Sequence, residues 1–360
     1  MIKTAECVSP NHPDKICDRI SDAILDECLR QDPDTRAAIE TMGGHGIITV
    51  TGELTTKAYV NIADVVKRVA GEDIGVQVNV VLQSFEISGG VDTGGAGDQG
   101  IMVGYACSSN RARIPTELLL ARELCKNIYY KVGELDGKTQ ITMDGENITH
   151  VVASFQSVSK KVLERIVYDW ILTAAGVCEN NFNILLGISS NIKVLINPAG
   201  DWDMGGFDAD TGLTGRKLIA DNYGPNVPIG GGAYSGKDGT KVDRSGAYYA
   251  RKMAMYILDQ KMIEYALACQ KDVQDVTVKL AYAIGVINPV QAYAIIRLTD
   301  STNPGIIEEE TMDLIGLYDF RPKHIIDALQ LKTPIFEQTA EWGAYGNMDI
   351  DVPWESYGPK

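Results

Sequence analysis

Three times along this 360-residue chain a pair of β-rich runs leads into a helical stretch. This recurrence constrains the architecture most, because a strand pair with one helix cannot bury its own apolar faces and three such units must pack together. The first unit is GIITVTGELTTKAYVN (46–61), with a turn expected inside the run, ahead of IADVVKRVAGE (62–72). The second is TQITMDGENITHVVASFQSVS (139–159), turning at Asp144-Gly145, ahead of the amphipathic KKVLERIVYDWILTAAG (160–176). The third is VTVKLAYAIGVINPVQAYAIIRLTD (276–300), with EEETMDLIGLYD (308–319) read as its helix. The expectation is an α+β fold of three units, each a mostly antiparallel or mixed sheet with helices on one face.

A further helix is expected over Pro13–Gln31. Pro13 suits a first helical position, and Ile16, Ile20, Ile24 and Cys28 share one face. Asp14, Asp18, Asp22 and Asp26 form a parallel stripe. Asp18, Asp22 and Asp26 read as a solvated face, whereas Asp14 lies in the first turn beside His12 and Lys15.

Charge and composition exclude several classes. The chain has a net charge of −15, which disfavours nucleic acid and anionic membrane as partners. No run of about 18 uncharged apolar residues is present to span a bilayer. The first residues, MIKTAECVSPNHPDK, lack the basic start and apolar core of a secretion signal. Seven cysteines without a Cys-x-x-Cys spacing read as reduced, buried thiols, which points to the cytoplasm. The four histidines are dispersed, so a multi-histidine metal site would require distant segments to converge.

Glycine concentrates in SGGVDTGGAGDQG (88–100), read as a loop running into the strand-like IMVGYA. It concentrates again in residues 200–246, which hold 12 of the 36 glycines. Backbone this glycine-rich is costly to order, and close approach of the main chain to a ligand explains it better than structure alone. Gly95-Ala-Gly-Asp-Gln-Gly100 has the letters of a dinucleotide fingerprint without the strand before it and helix after it. Gly231–Lys237 has the letters of a phosphate loop, but Asp238 stands where Ser or Thr would hold magnesium. From Gly212 to Arg244 five basic residues (Arg216, Lys217, Lys237, Lys241, Arg244) face three acidic ones (Asp221, Asp238, Asp243). Such a patch in so acidic a chain suits a small polyanion, with Asp243 available to a divalent ion. His12-Pro-Asp-Lys15 at a helix start adds unpaired amides, a hard oxygen ligand and a hydrogen-bond donor. An ATP-dependent phosphotransferase and a catalytically silent nucleotide-binding subunit are the alternatives these features leave open.

His12-Pro-Asp-Lys15, Gly95–Gly100, Gly212-Leu-Thr-Gly-Arg-Lys217, Gly230-Gly-Gly-Ala-Tyr-Ser-Gly-Lys-Asp238 and Lys241-Val-Asp-Arg-Ser245 together resemble the S-adenosylmethionine synthetase (methionine adenosyltransferase) family. Weaker echoes run through Tyr282–Val286, Asp319–Pro322 and Pro353–Glu355. The resemblance implies three similar domains in pseudo-threefold arrangement, divided here as 1–88, 89–203 and 204–360. It implies a homodimer or dimer of dimers with active sites at the subunit interface. The implied reaction joins ATP and L-methionine, then cleaves the released triphosphate to phosphate and diphosphate.

Carried over by motif, His12 falls at the oxygen bridging ribose and triphosphate. Asp14 and Asp243 fall at magnesium ligands, with two magnesium ions per site, and Glu40 at a potassium site. Lys138, Arg216, Lys217, Lys237 and Lys241 fall at triphosphate contacts, making His12, Lys138, Arg216, Lys237 and Lys241 the catalytic set. Asp98, Asp136, Asp210, Ala233 and Trp202 fall at ATP positions, with Trp202 stacking on adenine. Glu53, Gln83, Asp210, Lys241 and Ile284 fall at the methionine. A thioether is already nucleophilic, so the chemistry needs cations around a leaving triphosphate and no catalytic Ser or Cys.

The chain departs from the family pattern in four places. Pro10-Asn11 replaces Glu-Gly, Asp201 replaces a basic residue, and Trp202 is bulkier than the usual Phe. Gln83-Ser-Phe85-Glu86-Ile lacks the usual proline and opens a shortened gating loop, which predicts easier admission of methionine analogues larger than methionine.

Overall fold

The computed structural model describes residues 1–84, 93–177, 187–268, 271–300 and 303–356. Three four-stranded sheets organise them. The first consists of β2 (Arg36–Gly44), β3 (Ile47–Thr55), β4 (Gly75–Val81) and the two-residue β9 (Gly212–Leu213), in the order β4-β3-β2-β9. The second consists of β1 (Ile2–Val8), β6 (Gly137–Asp144), β7 (Asn147–Phe155) and β8 (Gly187–Ile196), in the order β1-β6-β7-β8. The third consists of β5 (Gly100–Cys107), β10 (Lys271–Tyr282), β11 (Gln291–Asp300) and β12 (Asn303–Asp313), in the order β12-β11-β10-β5.

The sheets repeat one plan. Each is built on a hairpin (β2–β3, β6–β7, β10–β11), and each hairpin's first strand pairs antiparallel with a strand from elsewhere in the chain. In the first two sheets a helix then carries the chain to a parallel fourth strand, as parallel pairing requires. These helices are α2 (Ile62–Ala70) and, later, α4 (Lys160–Val177). In the third sheet β12 follows β11 almost at once and is antiparallel.

This last point corrects the sequence reading, in which Glu308–Asp313 begins a helix. Arg297 pairs with Glu309 and Ile295 with Thr311, so pairing with a preformed strand overrides a weak helical pattern. The glutamates lie along an exposed edge strand, where charge discourages further pairing. The turn expected within 46–61 is also displaced: it falls at His45-Gly46, and Ile47–Thr55 is one uninterrupted strand.

Each sheet is covered by helices on one face. Helix α1 (Pro13–Gln31) packs with α2 on the first sheet, and α3 (Thr116–Val132) packs with α4 on the second. After the short α5 (Gly206–Ala209) and α6 (Leu218–Asp221), the long α7 (Val242–Ala268) covers β5 and β10 of the third. Helices α8 (Pro322–Ala328) and α9 (Thr339–Trp342) close the chain against α7 and α1 respectively. One apolar core joins α1, α7 and the first and third sheets, and a second lies beneath α3 and α4. Among the described residues no helix is long and apolar enough to cross a membrane. Cys7, Cys17, Cys28, Cys107 and Cys125 are buried free thiols, while Cys178 and Cys269 lie outside the described residues.

The largest correction concerns the acidic stripe of α1. Asp18, Asp22 and Asp26 are 2%, 0% and 3% exposed, not solvated. Each accepts backbone N–H groups from the second half of the chain: Asp18 from Gly215 (2.8 Å), Asp22 from Gly236 (2.8 Å), and Asp26 from Phe336 and Glu337 (2.9–3.1 Å). Loops without regular partners need acceptors for their amides, and carboxylates on a neighbouring helix provide them.

Candidate functional site

The N-terminus of α1 anchors one cluster. His12 is the N-cap, and its Nδ1 accepts the amide of Asp14 at 3.2 Å. Nδ1 is therefore the unprotonated nitrogen, and Nε2 carries the proton of the neutral ring. The ring is 4% exposed, and its pKa is pushed down to about 4, first by burial and then by the Lys217 and Lys138 ammonium groups. His12 is thus an uncharged donor at neutral pH.

Asp14, 1% exposed, accepts the Leu213 amide at 2.9 Å and the Lys217 ammonium at 2.5 Å, with the Arg216 guanidinium 3.5 Å away. Burial alone would raise its pKa, but these donors hold it below the ordinary carboxylate value. Gly212 lies directly on the helix start: a Cβ there would come within 2.2 Å of the Pro13 carbonyl oxygen. Lys15, read from sequence as part of the polyanion element, turns inward instead, to Asp221 at 2.6 Å and Asp18 at 3.6 Å.

The second sheet supplies the floor. Lys138 lies on β6, two residues after Asp136, and pairs with Val8 and Ser154 on the neighbouring strands. Asp136 accepts the Gly206 amide at 2.9 Å, and burial raises its pKa. Trp202 donates its indole N–H to Ser154 at 3.1 Å, which sets the ring beside the Lys138 row. Asp210 is exposed, accepts the Thr211 amide and acts electrostatically on His12. His12, Asp14, Lys138, Asp136, Trp202, Asp210, Arg216 and Lys217 therefore converge within one chain.

A second group lies where α7 begins. Lys237 binds Asp243 at 2.7 Å, and Asp243 faces an open cleft of about 680 Å³ lined by Gln99, Gly100, Gly231, Gly232 and Ala281–Ala283. Asp98 is exposed beside Gln99. Lys237 bridges to Ala38, and Glu40 follows two residues on, along the same face of β2. Lys241 binds Asp238, which in turn accepts the Ala37 amide. Ala233 abuts Gly215, where a Cβ would approach to 2.6 Å, so the two glycine-rich loops touch. Arg244, counted from sequence in the basic patch, is buried against Asp22 (2.6 Å) and over the Phe336 ring (4.3 Å).

Glu53, Gln83 and Ile284 border the second group, through Ala38, Thr55 and the cleft-lining Ala283 respectively. Glu53 is on β3 opposite Ala38, Gln83 donates its amide to Thr55 with a buried side-chain oxygen left unpartnered, and Ile284 is 59% exposed beside Ala96. Phe85, Glu86 and the rest of the shortened loop to Asp92 lie outside the described residues. Of the departures, Asp201 caps the first amide of α4 at Lys160 (2.9 Å) and holds Asn197 (3.0 Å). Asn11 bonds to the Glu134 carbonyl. Gly100 opens a strand, so the glycine signature before it is not a dinucleotide fingerprint.

Sequence reading missed Asp18, Asp22 and Arg244 as supports of the site. The usable signal was their spacing: acids every fourth residue of a helix, in a chain with glycine loops needing acceptors. Among the described residues no group of three or more His, Cys, Asp or Glu could hold a metal by itself. Isolated carboxylates beside cations fit magnesium that draws its other ligands from water and substrate phosphates.

Three family models match consecutive segments: the S-adenosylmethionine synthetase N-terminal domain at 1–88, the central domain at 93–202 and the C-terminal domain at 204–356. The chain is 36% identical to the S-adenosylmethionine synthase of Petrotoga mobilis, covering 99% of this chain and 96% of that one. It is 39% identical to the Oenococcus oeni synthase (98% and 95% covered) and 37% to that of Corynebacterium glutamicum (98% and 94%).

Proposed function

The chain belongs to the S-adenosylmethionine synthetase family, and we propose the following residue roles for its reaction, the joining of ATP and L-methionine into S-adenosylmethionine. The methionine sulfur attacks C5′ of the ribose, the C5′–O bond breaks, and the whole triphosphate departs. A thioether has no proton to lose, so no general base takes part; positioning and stabilisation of the leaving group supply the rate. His12 donates from Nε2 to the bridging oxygen as charge develops there. The Asp14 amide on Nδ1, which leaves the proton on Nε2, is the observation that carries this assignment.

Lys138, Arg216, Lys217, Lys237 and Lys241 neutralise the triphosphate. Trp202 stacks on adenine, Asp98, Asp136, Asp210 and Ala233 fix the nucleoside, and Glu53, Gln83, Asp210, Lys241 and Ile284 receive methionine. Asp14 and Asp243 would hold two magnesium ions and Glu40 a potassium ion; bound there, the cations would neutralise phosphate charge. The released triphosphate is then hydrolysed to phosphate and diphosphate.

Two copies complete the site in this reading, as a homodimer or dimer of dimers. The Lys237–Asp243 cleft is open, with room for groups from a second copy, and this supports it. So does the exposed apolar face of the first sheet, where Met42 and Leu213, paired across β2 and β9, are 54% and 38% exposed. The buried free thiols favour the cytoplasm. The test is direct: protein, ATP, methionine and magnesium should yield S-adenosylmethionine by mass, with phosphate and diphosphate. Release of ADP instead would make the chain a phosphotransferase.

A further inference from the structure

We propose that Asp18 and Asp22 are positioning residues, each of which fixes, from one turn of α1, one of the two loops that carry the triphosphate cations. The proposal rests on the assignment of Arg216, Lys217 and Lys237 to the triphosphate. Each aspartate accepts the amide of the glycine immediately before those cations: Asp18 that of Gly215, Asp22 that of Gly236, both at 2.8 Å. Four residues along a helix place the two carboxylates on one face about 6 Å apart.

Neither loop has slack. Gly215 and Gly236 have φ of +78° and +80°, a region that residues with a Cβ rarely adopt. A Cβ on Gly215 would meet Ala233 at 2.6 Å, and one on Gly236 would meet the Ile39 carbonyl oxygen at 2.0 Å.

Each aspartate is also tied to the neighbouring lysine through a buried cation. Arg244 donates to Asp22 (2.6 Å) and to the Lys237 carbonyl (2.8 Å). Lys15 lies 3.6 Å from Asp18 and holds Asp221, whose own amide donates to the Lys217 carbonyl at 2.9 Å. The peptides of Lys217 and Lys237 are thus gripped by parallel sets of contacts on one rod. The arrangement is poor as simple core packing, since Asp18 keeps Oδ2 buried and without a hydrogen-bond partner. A buried carboxylate is costly to desolvate, and an apolar side chain would fill the space at lower cost.

The test compares Asp18→Ala with Asp18→Asn in the full-length enzyme, measuring turnover, the KM for methionine and Tm. Asparagine keeps an oxygen for the Gly215 amide and alanine does not. Misplacing the cation loop by about 1 Å predicts roughly a 10²-fold loss of kcat in the alanine variant, with the methionine KM within about threefold. Asparagine recovers most of that rate. Equal kcat in the two variants would overturn the proposal, as would a loss that follows only the folded fraction read from Tm. Asp22→Asn is a second variant, with the same expected recovery relative to Asp22→Ala. Lys237→Met, run in parallel, separates the two readings. If it keeps full turnover, the triphosphate assignment fails; if it loses turnover while Asp18→Ala does not, only the positioning role fails.

Discussion

Two places in the molecule use the same device and use it differently. At the start of α1, Asp14 meets Lys217 from a glycine-rich loop; at the start of α7, Asp243 meets Lys237 from another. The Asp14 side chain is 1% exposed and already accepts a backbone amide as well as the lysine, whereas Asp243 is 16% exposed and opens on a cleft. The difference lies in spare coordination. A carboxylate with several protein donors fixes its surroundings and keeps less room for a ligand, whereas one held by a single ammonium keeps more.

The sharpest test of this contrast is Lys237→Met. Loss of a charge-assisted donor in a desolvated site should lower kcat by roughly 10²–10³-fold while leaving the fold intact. Unchanged turnover would reduce the Lys237–Asp243 pair to an ordinary surface contact. Next in size is Asp14→Ala, which strands the Leu213 amide and Lys217. It should lower unfolding free energy by about 1.5–3 kcal/mol in denaturant titration.

Asp243→Asn should scarcely move Tm and should raise the magnesium concentration for half-maximal rate by roughly tenfold or more. A metal titration that moves with Asp14 and not with Asp243 would reverse the comparison. The smallest effect concerns pH. His12 has its pKa near 4 in the folded chain against an ordinary 6.5, so it stays neutral down to about pH 4. The kcat profile should therefore show no histidine limb between about pH 5.5 and 8. Because the folded state binds this proton less well, His12 should reduce stability as pH falls through 6.5 toward 4.

Much of the site was legible in the residues. The Pro13–Gln31 helix, its proline start and the glycine-rich cation loops follow from spacing and residue type, and the motif order carried the family resemblance. The acids were not legible in the same way. Asp18, Asp22 and Asp26 on α1 and Glu308–Glu310 on β12 are both acidic runs, yet the first are buried acceptors and the second line an exposed edge. Local sequence encodes the spacing of a charge and says nothing of the amide 200 residues away that will meet it.

The sequence by itself determined the hairpin and helix of residues 139–176, the concentration of cations near Gly212–Arg244, and a histidine ahead of a helix-starting proline. Only the tertiary structure decided that β1, β5 and β9 complete sheets otherwise built from other segments. It likewise decided that Lys15 and Arg244 turn inward, and that Glu308–Asp313 extends as a strand. The physical reason is one throughout. Secondary structure follows periodicity over a dozen residues, whereas the fate of a buried charge or an edge strand depends on partners supplied when distant segments pack.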